Sequence, residues 1–386
     1  MKESTKESLW EAHSREWRHP AEALSFWSDA GKVSPGLLEG KAYGQWWEVI
    51  EKLKITLLAT REYEHLIQSF SMPQGNPRIS YLRLPHPSGL AFKPDTKNIY
   101  VACTRNPNQV FELSPSTEKD HLLIPTRSWF YPGKTYIHDL AFIGGHLHAN
   151  AVGQNAVIRL EEDGSWQRVW WPHCLDKYAG AFDLNYLQLN SIAAGKDLQS
   201  SFFSASVAAP SSRRPGHLNF PVDGRGVIFS GETKIPIVSG LTRPHSARLF
   251  KKKLWVNNSG YGTFGTVQNG SYKIRQTLPG WTRGLSFCQD VVFVGTSRVL
   301  PRFQHYAPGL NPEKCCCGIH ALDLKTGDFL GSYLWPQGNQ IFALEWIPSS
   351  LSSGFPFYGN TKIAIERTKR LFYNLVKQQK TNHAKF

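Results

Sequence analysis

The chain has 386 residues, of which 41% are hydrophobic and 19% charged, with 13 Trp and 22 Phe among them. That composition excludes a disordered polypeptide and supplies bulky apolar area for a large core. The formal charge is +14, and residues 361–386 alone carry seven Lys or Arg against Glu366.

At the N-terminus, charge stands where a signal peptide needs an apolar stretch, and no run approaches the length that spans a bilayer. The expectation is a cytoplasmic protein without a transmembrane segment. Within residues 1–52, the segments ESLWEAHSREW and YGQWWEVIEKL have helical periodicity and are read as a helical cap. Three strand-like runs follow, ITLLATRE, EHLIQSFS and RISYLRL, with no partners of their own nearby.

From residue 87 onward a strand start recurs. PSGLAF, IHDLAF, LNSIAA, PHSARLF, TRGLSF and IFALEW align on Leu90, Leu140, Ile192, Ala247, Leu285 and Leu344, at spacings of 50, 52, 55, 38 and 59 residues. Each of the first five is followed by three more short β-prone runs bounded by turn residues, the composition of a four-stranded blade. The sixth start lacks such partners. Joining it to the three early strands gives an all-β, six-bladed β-propeller over residues 53–348, closed by one C-terminal and three N-terminal strands, which leaves no open sheet edge at the seam. Residues 349–386 form a tail in which Leu371 with Leu375, and Phe372 with Val376, have helical spacing. It is read as a basic amphipathic helix with a solvated face, a surface for a protein partner and no specific nucleic-acid reader.

Cys103, Cys174 and Cys288 are scattered in apolar runs, as buried thiols are. Cys315, Cys316 and Cys317 are adjacent, a spacing unsuited to converging on one metal ion.

The segments HPSGLAF, IHDLAF, GLTRPHSARL with LWVNNSG, LPGWTRGLSF with VFVGTSR, and CGIHALDLKTGDFLG resemble the recurring motifs of a bacterial propeller family of unknown function. The resemblance spans about Leu57 to Pro348. It implies a six-bladed propeller distantly similar in shape to gluconolactonase-like and strictosidine-synthase-like propellers, and it implies no reaction. Gln340 stands where that family tends to carry an acidic residue, and QLNSIA lacks a His expected before its Leu-Asn pair. Both departures weaken a lactonase-like metal site, which needs several oxygen ligands.

In a propeller the first strand of each blade lines the central channel, so the residues just before it face a shared mouth. Those positions hold Ser88, His138 with Asp139, Asn190 with Ser191, His245 with Ser246, Arg283 and Gln340; the ends of second strands add Arg105, Asn106, Asn150, Asn257, Asn258, Ser297 and Arg298. Any one of these could instead bridge blades through backbone amides, and His138-Asp139 poses that choice most sharply. Two long loops, 208–223 and 298–316, are expected to place Arg213, Arg214, His217, Arg302, His305 and Tyr306 over the mouth. Convergent Arg forks suit carboxylate, phosphate or sulfate groups.

Two functional readings follow. In the first, His138, Asp139 and His245 carry acid-base catalysis, while Arg105, Asn150, Asn190, Asn258, Arg283, Arg298 and Gln340 bind an anionic, oxygen-rich small molecule or glycan for hydrolysis, elimination or isomerisation. No cofactor is required, although a variant gives His138 and His245 to a divalent metal with Asp139 as third ligand. In the second, the same funnel is a non-catalytic module that binds a glycan or a protein, consistent with the lack of a nucleophile elbow, P-loop or dinucleotide motif.

Overall fold

The computed structural model describes Ser8, Trp10 and Glu11 together with residues 34–358, apart from 106–107, 118–120, 216 and 218. The body of the segment ESLWEAHSREW, the basic helix assigned to the tail, and Asn106 lie outside the described residues.

Six antiparallel sheets make up the molecule. Blade one is built from Pro87–Lys93, Asn98–Cys103, Gln109–Pro115 and Leu123–Phe130, and blade two from Ile137–Ile143, His146–Ala151, Ala156–Leu160 and Trp166–Trp170. Blade three holds Leu189–Ala193, Phe202–Ala205, Gly226–Ser230 and Pro236–Leu241, and blade four Pro244–Phe250, Lys253–Asn258, Thr263–Gln268 and Ser271–Thr277. Blade five holds Trp281–Cys288, Val291–Ser297, Cys317–Asp323 and Phe329–Trp335. In the sixth sheet, Leu344–Pro348 lies beside Ile55–Arg61, followed outward by Leu66–Ser71, Arg78–Arg83 and Phe357–Tyr358. The sixth inner strand begins at Leu344, three residues later than the IFALEW run suggests, because Phe342 and Ala343 bond their N–H groups to Thr60 ahead of the regular ladder.

The segment before the propeller differs from a purely helical cap. Lys41–Gly44 is a fifth strand on the outer edge of blade five, paired with Phe329–Trp335. The helix that follows is Trp46–Leu53, with Trp46, Val49, Ile50 and Leu53 on one buried stripe. It stops at Lys54, whose left-handed backbone (φ 54°) turns its N–H back to Glu51 and Ile50 carbonyls. Trp46 is fully buried between blades five and six, edge-on to Phe70 and Phe293 at 5.5 and 6.0 Å between ring centres. The helix is thus part of an inter-blade core with Tyr333 and Trp335.

A ring of hydrogen bonds joins the blades near the axis. Ser88 Oγ donates to Ile137 O at 2.8 Å; Ile192 N–H donates to Asp139 Oδ2 at 2.9 Å; Ala247 N–H donates to Ser191 Oγ at 2.8 Å. Gly284 N–H donates to Ser246 Oγ at 2.9 Å, Ile341 N–H to Ser297 Oγ at 3.0 Å, and Thr60 Oγ1 to Ser88 O at 2.6 Å. Every neighbouring pair of blades has one such bond. Asp139 adds the strongest link, because Arg248 of blade four donates to its two oxygens at 2.7 and 3.0 Å. Where the position equivalent to Asp139 is Gly89, a Cβ would stand 2.6 Å from Leu140 N and 2.7 Å from Asp139 Cα, so only glycine permits the approach of blade one to blade two.

Replacing Asp139 with Ala would strand the Arg248 guanidinium and two backbone amides, and should lower unfolding free energy by about 3 kcal/mol. Chemical denaturation checks this; a loss under about 0.5 kcal/mol would show that the pair is not a structural tie.

Candidate functional site

A cavity of about 440 Å³ opens at the mouth of the ring. Counting back from the aligned apolar residues, the second position before each holds Ser88, His138, Asn190, His245, Arg283 and Phe342, and four of these, His138, His245, Arg283 and Phe342, line the cavity. For His138 and Arg283 this placement goes with a fault in the ladder, which skips both residues, whereas His245 keeps its partner Asn257 at the edge of one. In blades one to five the pairing of the first strand with the second is interrupted at Pro87/Leu90, at Asp139/Ile137, at Leu189/Ser191, at His245/Arg248 and at Thr282/Leu285. A bulge releases a residue from its partner and re-aims its side chain.

The fourth position before each aligned residue forms a second tier: His86, Tyr136, Gln188, Arg243, Trp281 and Gln340. All but His86 line the cavity. His86, Tyr136, Gln188 and Arg243 have left-handed backbones, with φ between 42° and 53°. Such geometry is uncommon for residues with large side chains and collects at functional sites.

The site residues named from sequence therefore separate into two groups. Arg105, His138, His245, Arg283, Arg298 and Gln340 line the cavity. Asp139, Asn150, Asn190 and Asn258 do not, and their bonds explain why. Asp139 neighbours His138 in sequence but lies on the other side of the bulge, with both oxygens taken by Arg248 and the Leu140 and Ile192 amides. It cannot orient either histidine, and it is spent as a metal ligand. Asn150, with its amide nitrogen toward Leu189 O (3.0 Å), accepts from Asn190 N at 3.3 Å and Ser191 N at 3.0 Å, holding the start of blade three. Asn190 Nδ2 donates to Pro244 O at 3.1 Å, and Asn258 Oδ1 accepts from Thr242 N at 2.7 Å. These three asparagines satisfy backbone groups at blade starts.

Of the loop residues, Tyr306 reaches the cavity, joined by Pro215, Val299, Leu300 and Phe303. Arg213, Arg214, His217, Arg302 and His305 do not line it; Arg302 lies over the rings of Tyr63 and Phe303, and Arg214 faces His217. Three further lining residues, Glu62, Tyr63 and Thr104, come from the ends of second strands in blades six and one and were not singled out from sequence.

Two arginines set the electrostatics. Arg283 is 8% exposed and Arg243 3%. Neither has a carboxylate within ion-pair distance among the described residues. Arg283 lies 3.3 Å over the Phe342 ring and donates to Gln340 Oε1 at 3.2 Å, with the Gln340 amide nitrogen facing Glu62 Oε2 at 3.1 Å. Thr104 donates to the other Glu62 oxygen. Arg243 lies 3.8 Å over the Tyr306 ring and donates to Ser206 Oγ at 3.2 Å, while its buried Nε has no partner among the described residues. Burial lowers the pKa of each to about 10, opposed for Arg283 by Glu62 and for Arg243 by Tyr306, so both are charged at neutral pH.

Burial, then the Arg283 charge, hold His138 and His245 well below the ordinary histidine value, so both imidazoles are neutral at pH 7. His245 Nδ1 is 2.8 Å from Arg243 O and 3.0 Å from Ser259 Oγ. A carbonyl only accepts, and the Ser259 hydroxyl hydrogen goes to Thr282 O at 2.6 Å. Nδ1 is therefore the protonated nitrogen, and the lone pair on Nε2 is left for the cavity. His138 packs edge-on to Phe342 and lies beside the Asn190 amide. Among the described residues no three His, Cys, Asp or Glu side chains are grouped to hold a metal.

The chain belongs to the family described as Domain of unknown function (DUF4915), whose profile matches residues 44–354. No curated protein matches the sequence. Among solved structures, a chain of the nidogen/laminin complex is similar over 76% of this chain and 99% of its own, at 10% identity and a TM-score of 0.53. A gluconolactonase from Xanthomonas campestris is similar at 12% identity, covering 66% of this chain and 77% of that one, with a TM-score of 0.43. A virginiamycin B lyase from Staphylococcus aureus gives 15% identity, coverage of 61% and 72%, and a TM-score of 0.39. At such identities the likeness concerns the fold alone.

The histidine environments make a solution prediction. Nitrogen-detected NMR should show His138 and His245 neutral at about pH 6, with the His245 proton on Nδ1. An anion bound beside Arg283 favours the charged imidazoles, so inorganic sulfate should raise both pKa values and bind more tightly as pH falls. Unperturbed titration near 6.5 without sulfate would contradict the burial argument.

Proposed function

We propose that the cavity binds an anionic, oxygen-rich small molecule or glycan unit and that His245 acts on it as a general base. The observation that carries this reading is the pair of buried guanidiniums, Arg283 and Arg243, without carboxylate partners and beside two neutral imidazoles. Burying an uncompensated charge costs several kcal/mol. Proteins retain such groups where a ligand completes the pairing. A carboxylate or phosphate accepting from Arg283 would do so in a water-poor site where each hydrogen bond is strong.

The orientation of His245 suits proton abstraction. Its Nδ1–H is held by the Arg243 carbonyl and Ser259, so Nε2 is the basic nitrogen and keeps a fixed direction. A proton leaving a substrate carbon beside a carboxylate would pass to Nε2, and the electron pair would spread into the carboxylate faced by Arg283. Returning the proton to a neighbouring atom completes an isomerisation; loss of a leaving group from the next atom completes an elimination. With water as the proton donor, the same base drives hydrolysis. His138 supplies the second imidazole. Asp139 has no part in this chemistry, being a blade tie.

Wild type and Arg283→Ala would be compared by thermal shift against a panel containing sulfate, phosphate, citrate, glucuronate and gluconate. The expected result is stabilisation of the wild type by at least one of these and its loss in the variant. Any stabilising organic anion is then followed by NMR for conversion. In His245→Ala, turnover should fall by about 10²- to 10⁴-fold while affinity stays within about tenfold. Equal loss of binding, or binding with no conversion in the wild type, would favour a non-catalytic module. Stabilisation that survives Arg283→Ala would remove the site itself.

A further inference from the structure

The cationic groups of the cavity fall into two sets at different depths. Arg243 and Arg283 are buried among the inner-strand tiers, whereas Arg105 and Arg298 are exposed at the mouth. Arg105 has no carboxylate within ion-pair distance among the described residues, and Arg298 donates to the Pro336 carbonyl. Against four guanidiniums the cavity lining offers one carboxylate, Glu62, and that group is bonded to Thr104 and Gln340. The same lining carries Tyr63, Tyr136, Trp281, Phe303 and Tyr306.

We infer that the ligand is an elongated dianion: one anionic end at Arg283 and Arg243, the other at Arg105 and Arg298, with a hydrocarbon or sugar-ring middle against the aromatic walls. This rests on the anion-binding reading above and deepens it. A single anion would neutralise the buried set and leave the mouth cationic. Two anions joined by a rigid or short spacer engage both sets while paying the entropy of association once. Aromatic rings in the lining match C–H surfaces and offer no competing charge. The volume, about 440 Å³, is that of a small-molecule site.

The probes are the straight-chain α,ω-dicarboxylates from succinate to suberate, each compared with its monomethyl ester, titrated calorimetrically into the full chain at low ionic strength, where exposed charges are least screened. At one best length the diacid should bind about tenfold or more tightly than its monoester, with the advantage shrinking on either side, since a second charge-assisted contact contributes about 1.4 kcal/mol or more. The double variant Arg105→Gln/Arg298→Gln should erase that advantage, bringing diacid and monoester to equal affinity. Diacids and monoesters of equal affinity at every length would overturn the inference, as would an advantage that persists in the double variant. Monoester binding that depends on Arg283 but shows no dianion advantage would sink this inference and leave the anion site standing. Absence of Arg283-dependent binding by every probe would sink both.

Discussion

A fault in β-pairing near the start of each continuous inner strand decides which side chains build the ring and which build the site. In a regular strand, neighbouring residues face opposite sides and each is held by a ladder partner. Here the pairing is interrupted at or just before the aligned apolar position in blades one to five: Ser88 and Gly89 are skipped in blade one, His138 in blade two, Asn190 in blade three, Ser246 and Ala247 in blade four, and Arg283 and Gly284 in blade five. Near these positions some side chains bond to the next blade, as Ser88, Asp139, Ser191 and Ser246 do, and others turn toward the axis, as His138, His245 and Arg283 do. One local irregularity, repeated around a circle, yields both inter-blade cohesion and a polar pore.

The electrostatic character of the cavity follows from that placement. Groups aimed at the axis leave bulk water and gain few backbone partners, so their charges are set by one another. Aromatic rings accept the guanidinium faces, with Arg283 on Phe342 and Arg243 on Tyr306, and compensate part of the desolvation without neutralising the charge. Gln340 separates Glu62 from Arg283, a neutral spacer where a direct ion pair would otherwise cancel the field. Burial, reinforced by that field, keeps both histidines deprotonated. An anion arriving at Arg283 changes all of these balances together, which couples binding to the protonation of the imidazoles that would act on it.

Much of this was legible from strand starts and less from side-chain type. The six aligned apolar positions, and the polar residues just ahead of them, could be read because a short β-prone run bounded by turn residues is a local signal. His138, His245 and Arg283 reach the cavity for that reason. Sequence left open whether His138-Asp139 ties a strand or faces a ligand, and the answer divides the pair: the histidine faces the cavity and the aspartate ties blades. Telling them apart required the bulge and the position of Arg248, 109 residues away. Asn150, Asn190 and Asn258 bond backbone groups at blade starts and stand off the cavity lining, a placement that sequence does not distinguish from facing a ligand. Arg243 was overlooked although it sits four residues before an aligned position, as Gln340 does. Its inward direction depends on a left-handed backbone that a non-glycine residue does not advertise. Lys41–Gly44 carries no local strand signal, because its partner among the described residues is nearly 300 residues downstream.

The most direct test of this account is a crystal structure grown in selenate, with anomalous data collected at the selenium edge. Selenate has the shape and charge of sulfate, and its signal locates an anion without reference to the refined side chains. The account predicts an anomalous peak inside the ring, within hydrogen-bonding reach of the Arg283 or Arg243 guanidinium and adjacent to the His245 imidazole. A ring interior without such a peak, with Arg283 and Arg243 instead paired to carboxylates of the protein, would contradict it.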